Sequence, residues 1–219
     1  MSKAIVLLSG GMDSAVTAAV ARRENEEVIA LNAYYGQKHS VERECARKLV
    51  GLLKLDGYIE LDLSFIFTHM RSSLLRLSNI PIDDNQPKNE VGATYVPGRN
   101  SIFLSIAAGI ADSMGAQFVY YGAHQEDHAG YPDCRAEYFV AIRDALRLGT
   151  KNEVVLKAPF ITKPKSYIVR TGIELGVPFE HTHSCYRGER PACGTCPTCQ
   201  IRLQAFAEAG IEDPLPYRR

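Results

Sequence analysis

The chain opens on an almost wholly apolar run, KAIVLLS (3–9), which ends against two glycines. A short apolar run closed by a turn signal reads as a strand buried on both faces, as in a parallel sheet. A helix is expected over 14–24, and a second strand over EEVIALNAYY (26–35). VERECARKLVGLL (41–53) puts Val41, Cys45, Leu49 and Leu52 on one helical face. YIELDL (58–63) reads as a third strand. This β-α-β-α-β order implies a parallel sheet with right-handed crossovers. A short helix is expected within 64–80, then a loop over PIDDNQPKNEVGATYV (81–96) that folds over a ligand.

The alternation then resumes. NSIFLSIAAGIADSMG (100–115) reads as a helix with Ile102, Phe103, Ile106 and Ile110 on one face. QFVYYGA (117–123) is a fourth strand, EYFVAIRDALRLG (137–149) a helix and EVVLKAP (153–159) a fifth strand. KSYIVRTGIELG (165–176) is a last core helix, closed by Gly176. The expected architecture is a doubly wound α/β domain over 1–180 with a mainly parallel five-stranded sheet. A cysteine-rich hook and a short helix follow over 181–219. Ligands are expected at the carboxyl ends of the strands.

Composition narrows the class. The 219 residues are 46% apolar, enough for a sizeable core. Formal net charge is zero, which argues against a broad electrostatic grip on nucleic acid. The start MSKAIVLLSGG lacks the long apolar stretch and cleavage site of a secretion signal. No apolar run approaches the roughly 18 residues of a membrane span. A soluble, cytoplasmic protein is expected.

The first strand runs into S-G-G-M-D-S, a phosphate-loop pattern without the usual lysine; the next lysine is Lys38. In triphosphatase loops that lysine reaches the β- and γ-phosphates. Here Gly10 and Gly11 permit tight turning and close approach. Ser9 and Ser14 add hydroxyls, and the start of the following helix favours an anion. The bland alternative is a strand-to-helix turn capped by Asp13. The loop and the helix it opens, Leu8, Ser9, Gly10, Gly11, Met12, Asp13, Ser14, Ala15, Val16, Thr17 and Ala18, are the candidate nucleotide site. Asp13 either orients the loop or helps hold Mg²⁺, which binds through one or two carboxylates plus phosphates.

Four of six cysteines, Cys185, Cys193, Cys196 and Cys199, read C-x₇-C-x₂-C-x₂-C. Four thiolates so spaced suit a closed, structural Zn²⁺ site; an iron–sulfur cluster or two disulfides are the alternatives, and His183 is a spare ligand. Cys45 is expected in the core. Three further stretches fall where a site should lie: YGQKHSVE (35–42), VPGRNSIFLS (96–105) and GAHQEDHAGYPDCR (122–135).

The S-G-G-x-D-S string resembles the loop of the PP-loop ATP pyrophosphatases, whose fold is adenine nucleotide alpha-hydrolase-like. The whole set, with Y-G-Q-K-H, V-P-G-R-N, G-Y-P-D-C-R and the cysteine hook in that order, resembles the 7-cyano-7-deazaguanine synthase (QueC) family along essentially the entire chain. The chain has His183 where relatives often carry Trp, and Leu8 where they often carry Phe. The resemblance implies ATP-dependent conversion of 7-carboxy-7-deazaguanine and free ammonia to the nitrile, a precursor of queuosine or archaeosine. It also implies bound Zn²⁺, a homodimer, and no direct contact with nucleic acid or membrane.

On that reading Asp13, Ser14, Arg99 and Lys163 are the catalytic candidates. Arg99 neutralises the substrate carboxylate or the developing charge. Lys163 or Lys165 reaches phosphate, or both are solvated. Tyr95, Asn100, Asp127, Tyr131, Asp133 and Arg135 are the substrate-side candidates. Asp127 or Asp133 reads the guanine-like edge, Tyr131 or Tyr95 stacks on the ring, and Arg135 is a second anion contact or a partner of an aspartate. Cys134 is assigned to packing.

Overall fold

The computed structural model describes residues 2–38, 40–82 and 91–218. His39 of the YGQKHSVE stretch and half of the expected 81–96 loop, residues 83–90, lie outside the described residues.

The alternation appears as read. The strands are β1 (Lys3–Leu7), β2 (Glu27–Tyr34), β3 (Gly57–Asp62), β4 (Phe118–Tyr120) and β5 (Val155–Lys157). The helices are α1 (Met12–Glu24), α2 (Val41–Leu52), α3 (Arg99–Ser113), α4 (Ala136–Gly149), α5 (Lys165–Glu174) and α6 (Pro197–Ala209). The sheet order is β3-β2-β1-β4-β5, and every pairing is parallel. β1 is central, so the crossovers reverse direction beside it, and a crevice opens above its carboxyl end.

The short helix expected within 64–80 is a 3₁₀ helix, Ser64–His69. Two strands are much shorter than the sequence suggests: β5 and β4 each hold three residues where seven were expected. β4 stops at Tyr120 for a local reason. Its neighbour β1 ends at Leu7 and bends away into the Ser-Gly-Gly loop, so Tyr121 pairs only toward β5, donating its N–H to the Lys157 carbonyl at 3.1 Å.

Each sheet face has its own core. Val6, Ala30, Tyr120 and Val16 pack with Leu49, Ile168 and Phe206 on one face. Ile5, Leu31, Val119 and Leu156 pack with Leu104 and Ala108 of α3 on the other. α1 lies close because its inward residues are small: Ala15, Ala18 and Ala21 have no exposed surface. α6 adds Ala205 and Phe206 to the first core, with the Phe206 ring 5.1 Å from that of Phe179. Among the described residues no helix is long and apolar enough to cross a membrane.

Close packing at α5 gives a test. A Cβ at Gly172 would sit 2.3 Å from Phe179 Cζ and 2.8 Å from Val16 Cγ2, whereas one at Gly109 on α3 meets nothing within 4 Å. Gly172→Ala is expected to cost about 1–3 kcal/mol through overpacking. Gly109→Ala is expected to stabilise by about 0.4–1 kcal/mol by restricting the unfolded chain. Urea midpoints of the two variants check both signs.

Candidate active site

The Ser-Gly-Gly loop is held from three sides. Gly10 has φ +100°, and a Cβ there would lie 2.0 Å from the Glu42 carbonyl oxygen on α2. The Gly10 carbonyl accepts the His183 N–H at 2.9 Å. Within the loop, Ser14 Oγ donates to the Gly11 carbonyl at 3.0 Å and accepts the Ser9 N–H at 3.2 Å. Ser9 Oγ lies 3.0 Å from Ser14 Oγ and accepts the Gly11 N–H at 3.2 Å. The loop is thus preshaped, with the amino end of α1 facing the crevice.

A cavity of about 270 Å³ opens there. Leu8, Ser9, Gly11, Asp13 and Ser14 line it on the loop side, and Arg99, Asn100, Asp127 and Tyr131 on the other. The candidates Met12, Ala15, Val16, Thr17 and Ala18 have no exposed surface. They pack α1 onto the sheet and do not face the cavity. Thr17 Oγ1 donates to the Asp13 carbonyl at 2.8 Å, and Gly122 lets this turn approach β4, since a Cβ there would be 3.1 Å from the same oxygen.

Of the two lysines, Lys165 belongs to the cavity. Its Nζ lies 3.0 Å from Asp13 Oδ2. Lys163 is exposed, does not line the cavity, and sits 5.1 Å from the centre of the Tyr167 ring. Pro164 separates the two; Lys165 starts α5 and points inward, while Lys163 precedes the proline in the loop.

His124 was not among the sequence candidates, although it lies in the GAHQEDHAGYPDCR stretch. It is 2% exposed. Its Nε2 lies 3.3 Å from Asp127 Oδ2, 3.7 Å from Asp13 Oδ2 and 3.3 Å from Lys165 Nζ, and its Nδ1 3.2 Å from Glu126 Oε2. Burial opposes a charge on His124, but Asp127 and Asp13 outweigh burial and Lys165 together and raise it to about 9. Burial would likewise raise Asp13, yet Lys165 and His124 hold its carboxyl well below the usual carboxylate range. The result is a part-buried cluster of alternating charge beside the loop, with His124 and Lys165 buried and Asp13 and Asp127 partly exposed.

Across the cavity, Arg99 is the first residue of α3, positioned by Gly98 at φ +64°. Among the described residues it has no carboxylate within 4.0 Å; its Nη1 donates to Tyr35 Oη at 3.4 Å. Glu42 also lines the cavity. Burial pushes its carboxyl up to about 7, with Arg99 opposing and Cys185 adding to the rise.

Other candidates serve as frame. Asp133 is buried; its Oδ2 accepts the Asn100 N–H at 3.0 Å and so caps α3. Asn100 Nδ2 donates to the Asp133 carbonyl and to Cys134 Sγ, each at 3.2 Å. Arg135 donates from Nε to the His128 carbonyl at 3.0 Å, and Tyr95 Oη accepts the Gly98 N–H at 3.4 Å; neither lines the cavity. Tyr131 Oη lies 2.8 Å from Tyr186 Oη and 3.0 Å from Thr94 Oγ1. Burial pushes the Cys134 thiol well up, with Asp127 and Asp133 adding, which suits packing rather than nucleophilic attack.

Cys185, Cys193, Cys196 and Cys199 are all buried, and their sulfur atoms lie within 4.8 Å of one another. Cys193 Sγ is 3.9 Å from Cys199 Sγ and accepts the Cys196 N–H at 3.3 Å. The four sulfurs can hold one metal ion. His183 stays outside this set; its N–H faces the loop.

Fold and loop are those of a doubly wound α/β protein of the PP-loop type. Two solved structures share the fold: the NMN synthetase of Francisella tularensis, with TM-score 0.53 and 15% identity over 96% of this chain and 78% of that one, and a 4-thiouridine synthetase, with TM-score 0.54 and 17% identity over 95% of this chain and 50% of that one. The family model for "Queuosine biosynthesis protein QueC" matches residues 3–210. The chain belongs to the QueC family. Similar relatives named 7-cyano-7-deazaguanine synthase come from Sulfurovum sp., 45% identical over 99% of both chains, and from Methanoculleus marisnigri, 43% identical over 100% of both. Another, from Thermoplasma volcanium, is 45% identical over 99% of this chain and 91% of its own.

The charge cluster gives a test with a definite sign. His124 has a folded value of about 9 against 6.5 for a free histidine. A raised value favours the protonated folded form, so its stability contribution is complete below 6.5 and is lost as pH rises through 9. The melting temperature of the parent protein is therefore expected to fall between these limits more steeply than that of His124→Gln. Parallel pH profiles would contradict the assignment.

Proposed function

We propose that the chain is a 7-cyano-7-deazaguanine synthase, converting 7-carboxy-7-deazaguanine and ammonia to the nitrile while cleaving ATP to AMP and pyrophosphate. One observation carries the reading: a single cavity joins a preshaped, lysine-free loop to Arg99, a cation with no carboxylate within 4.0 Å among the described residues. A carboxylate substrate held by Arg99 would present an oxygen to the α-phosphate of ATP seated on the loop. Backbone N–H groups after Gly11, with the Ser9 and Ser14 hydroxyls, would hold the β- and γ-phosphates as they leave together. Lys165 would turn from Asp13 to the phosphates as they arrive, taking the part first given to Lys163.

Adenylation makes the carboxylate oxygen a leaving group, and ammonia attack gives the amide. Activation of the amide oxygen at the same site, followed by its loss, gives the nitrile. Asp127 accepts hydrogen bonds from the ring N–H and 2-amino groups, and Tyr131 lies along the ring. Asn100, Asp133, Arg135 and Tyr95 keep this wall in place.

Asp13 Oδ1 is buried without a hydrogen-bond partner, which suits a carboxylate that helps to hold Mg²⁺. Mg²⁺ bound with ATP would offset phosphate charge. In the hook, Zn–S bonds of about 2.3 Å in a tetrahedron give sulfur–sulfur edges of roughly 3.8 Å, close to the 3.9 Å between Cys193 and Cys199. Four thiolates closing the shell make a structural Zn²⁺ the best fit.

Free ammonia is the nitrogen source on this reading, because no cysteine is placed to release it from glutamine. Four sulfurs face one another, Cys134 is held by Asn100, and Cys45 is buried with its Sγ 3.7 Å from Arg190 Nη2.

Incubation with ATP, ammonium and 7-carboxy-7-deazaguanine is expected to yield the nitrile by mass spectrometry, with AMP and pyrophosphate. ADP and phosphate as the coupled products would overturn the reading. Purified protein is expected to carry about one zinc per chain, and Cys196→Ser to lose metal and thermal stability together, since structural zinc binding is largely folding energy.

A further inference from the structure

Among the described residues three carboxylates line the cavity: Asp13, Glu42 and Asp127. Two of them are engaged. Asp13 Oδ2 pairs with Lys165 at 3.0 Å, and Asp127 Oδ2 with His124 at 3.3 Å. Among the described residues the Glu42 carboxylate has neither a hydrogen bond nor an ion pair within 4.0 Å. Its backbone is nevertheless fixed, since its carbonyl abuts Gly10 of the phosphate loop. Glu42 therefore brings an unengaged carboxylate to the cavity from the turn of α2 that touches the loop. The sequence places it in the first turn of α2, where an acid usually only complements the helix dipole.

Nitrile formation needs a proton acceptor in both rounds. We propose that Glu42 is the general base that takes protons from the reacting nitrogen, a role that rests on the synthase reading above. In the first round ammonia bonds to the carbon of the acyl adenylate. Glu42 takes one proton from the new ammonium nitrogen, the carbonyl re-forms, and AMP leaves with one substrate oxygen. In the second round the amide oxygen attacks the α-phosphorus and pyrophosphate leaves, so the O-adenylated amide carries a C=NH₂⁺ group. One of its protons passes to solvent. Glu42 takes the other, the N–H electron pair becomes the third C–N bond, and the C–O bond breaks as AMP leaves with the second oxygen. Each round returns the Glu42 proton to solvent.

The groups that face Glu42 support the role. Burial raises its carboxyl to about 7, Arg99 on α3 opposes the rise, and Cys185 in the hook adds to it. Tyr35 after β2 and Cys45 on α2 also feel its charge. A base near neutrality accepts a proton without holding it too tightly to return it.

The test uses 7-carboxamide-7-deazaguanine and ATP, so that ammonia's own titration plays no part. In the parent enzyme kcat for nitrile formation is expected to rise with pH through about 7 and then level. Glu42→Gln is expected to lose about 100-fold in kcat, with no inflection near neutrality, and Glu42→Asp to recover about tenfold of that loss. Adenylation itself requires no base. ATP–pyrophosphate exchange with the carboxylate substrate should therefore fall far less than nitrile formation, raising the ratio of exchange to nitrile at least about 50-fold in Glu42→Gln. An unchanged pH profile in that variant, or parallel loss of exchange and nitrile, would overturn the proposal. A parent enzyme that exchanges pyrophosphate but forms no nitrile would instead overturn the synthase reading, and this proposal with it.

Discussion

Gly10 is the point on which the site depends. Its positive φ and the Glu42 carbonyl leave no room for a side chain, so the loop can lie against α2 only because this residue is glycine. Its own carbonyl is taken by the N–H of His183, two residues before the first hook cysteine. The Ser-Gly-Gly loop, the start of α2 and the entry to the cysteine hook therefore share one contact. Gly11 adds to it: a Cβ there would meet the His183 carbonyl oxygen at 3.6 Å and Ser184 Oγ at 3.8 Å. The chain crosses from its first tenth to its last fifth at this point.

Charge is arranged around that contact with unequal satisfaction. Asp13, Lys165, His124 and Asp127 neutralise one another in a part-buried cluster, where an unpaired charge on the buried His124 or Lys165 would cost roughly several kcal/mol in lost hydration. Among the described residues, Arg99 and Glu42 are left without an ionic partner within 4.0 Å on the opposite side. Fold stability alone does not explain ionisable groups held so, because each would be more stable paired. Their arrangement suits a substrate that brings an anion to Arg99 and gives up protons to Glu42.

Local features were legible in the sequence and distant contacts were not. The cysteine spacing places four sulfurs together with no further information, and the alternation of apolar strand and amphipathic helix gives the sheet. Lys163 and Lys165, separated by Pro164, look alike until α5 aims one at Asp13. His124 reads as an ordinary loop histidine, since its partners come from residue 13 and from α5 as well as from its own turn. Asp133 resembles a base reader, but its oxygen caps a helix that begins 34 residues earlier in the chain. Glu42 resembles a solvated helix-start acid because Gly10, which its carbonyl abuts, and Arg99 across the cavity lie far away in sequence. The candidates in the body of α1 followed the motif past the first turn, where the side chains turn into the core.

Through Gly10 and His183, loop and hook form one mechanical unit. Amide hydrogen exchange on the metal-loaded protein, before and after removal of the metal by a chelator, tests this coupling directly. Exchange is expected to quicken in residues 9–14 together with 182–199, while β1 and β4 keep their protection. Faster exchange confined to the hook, with the loop as protected as before, would contradict it.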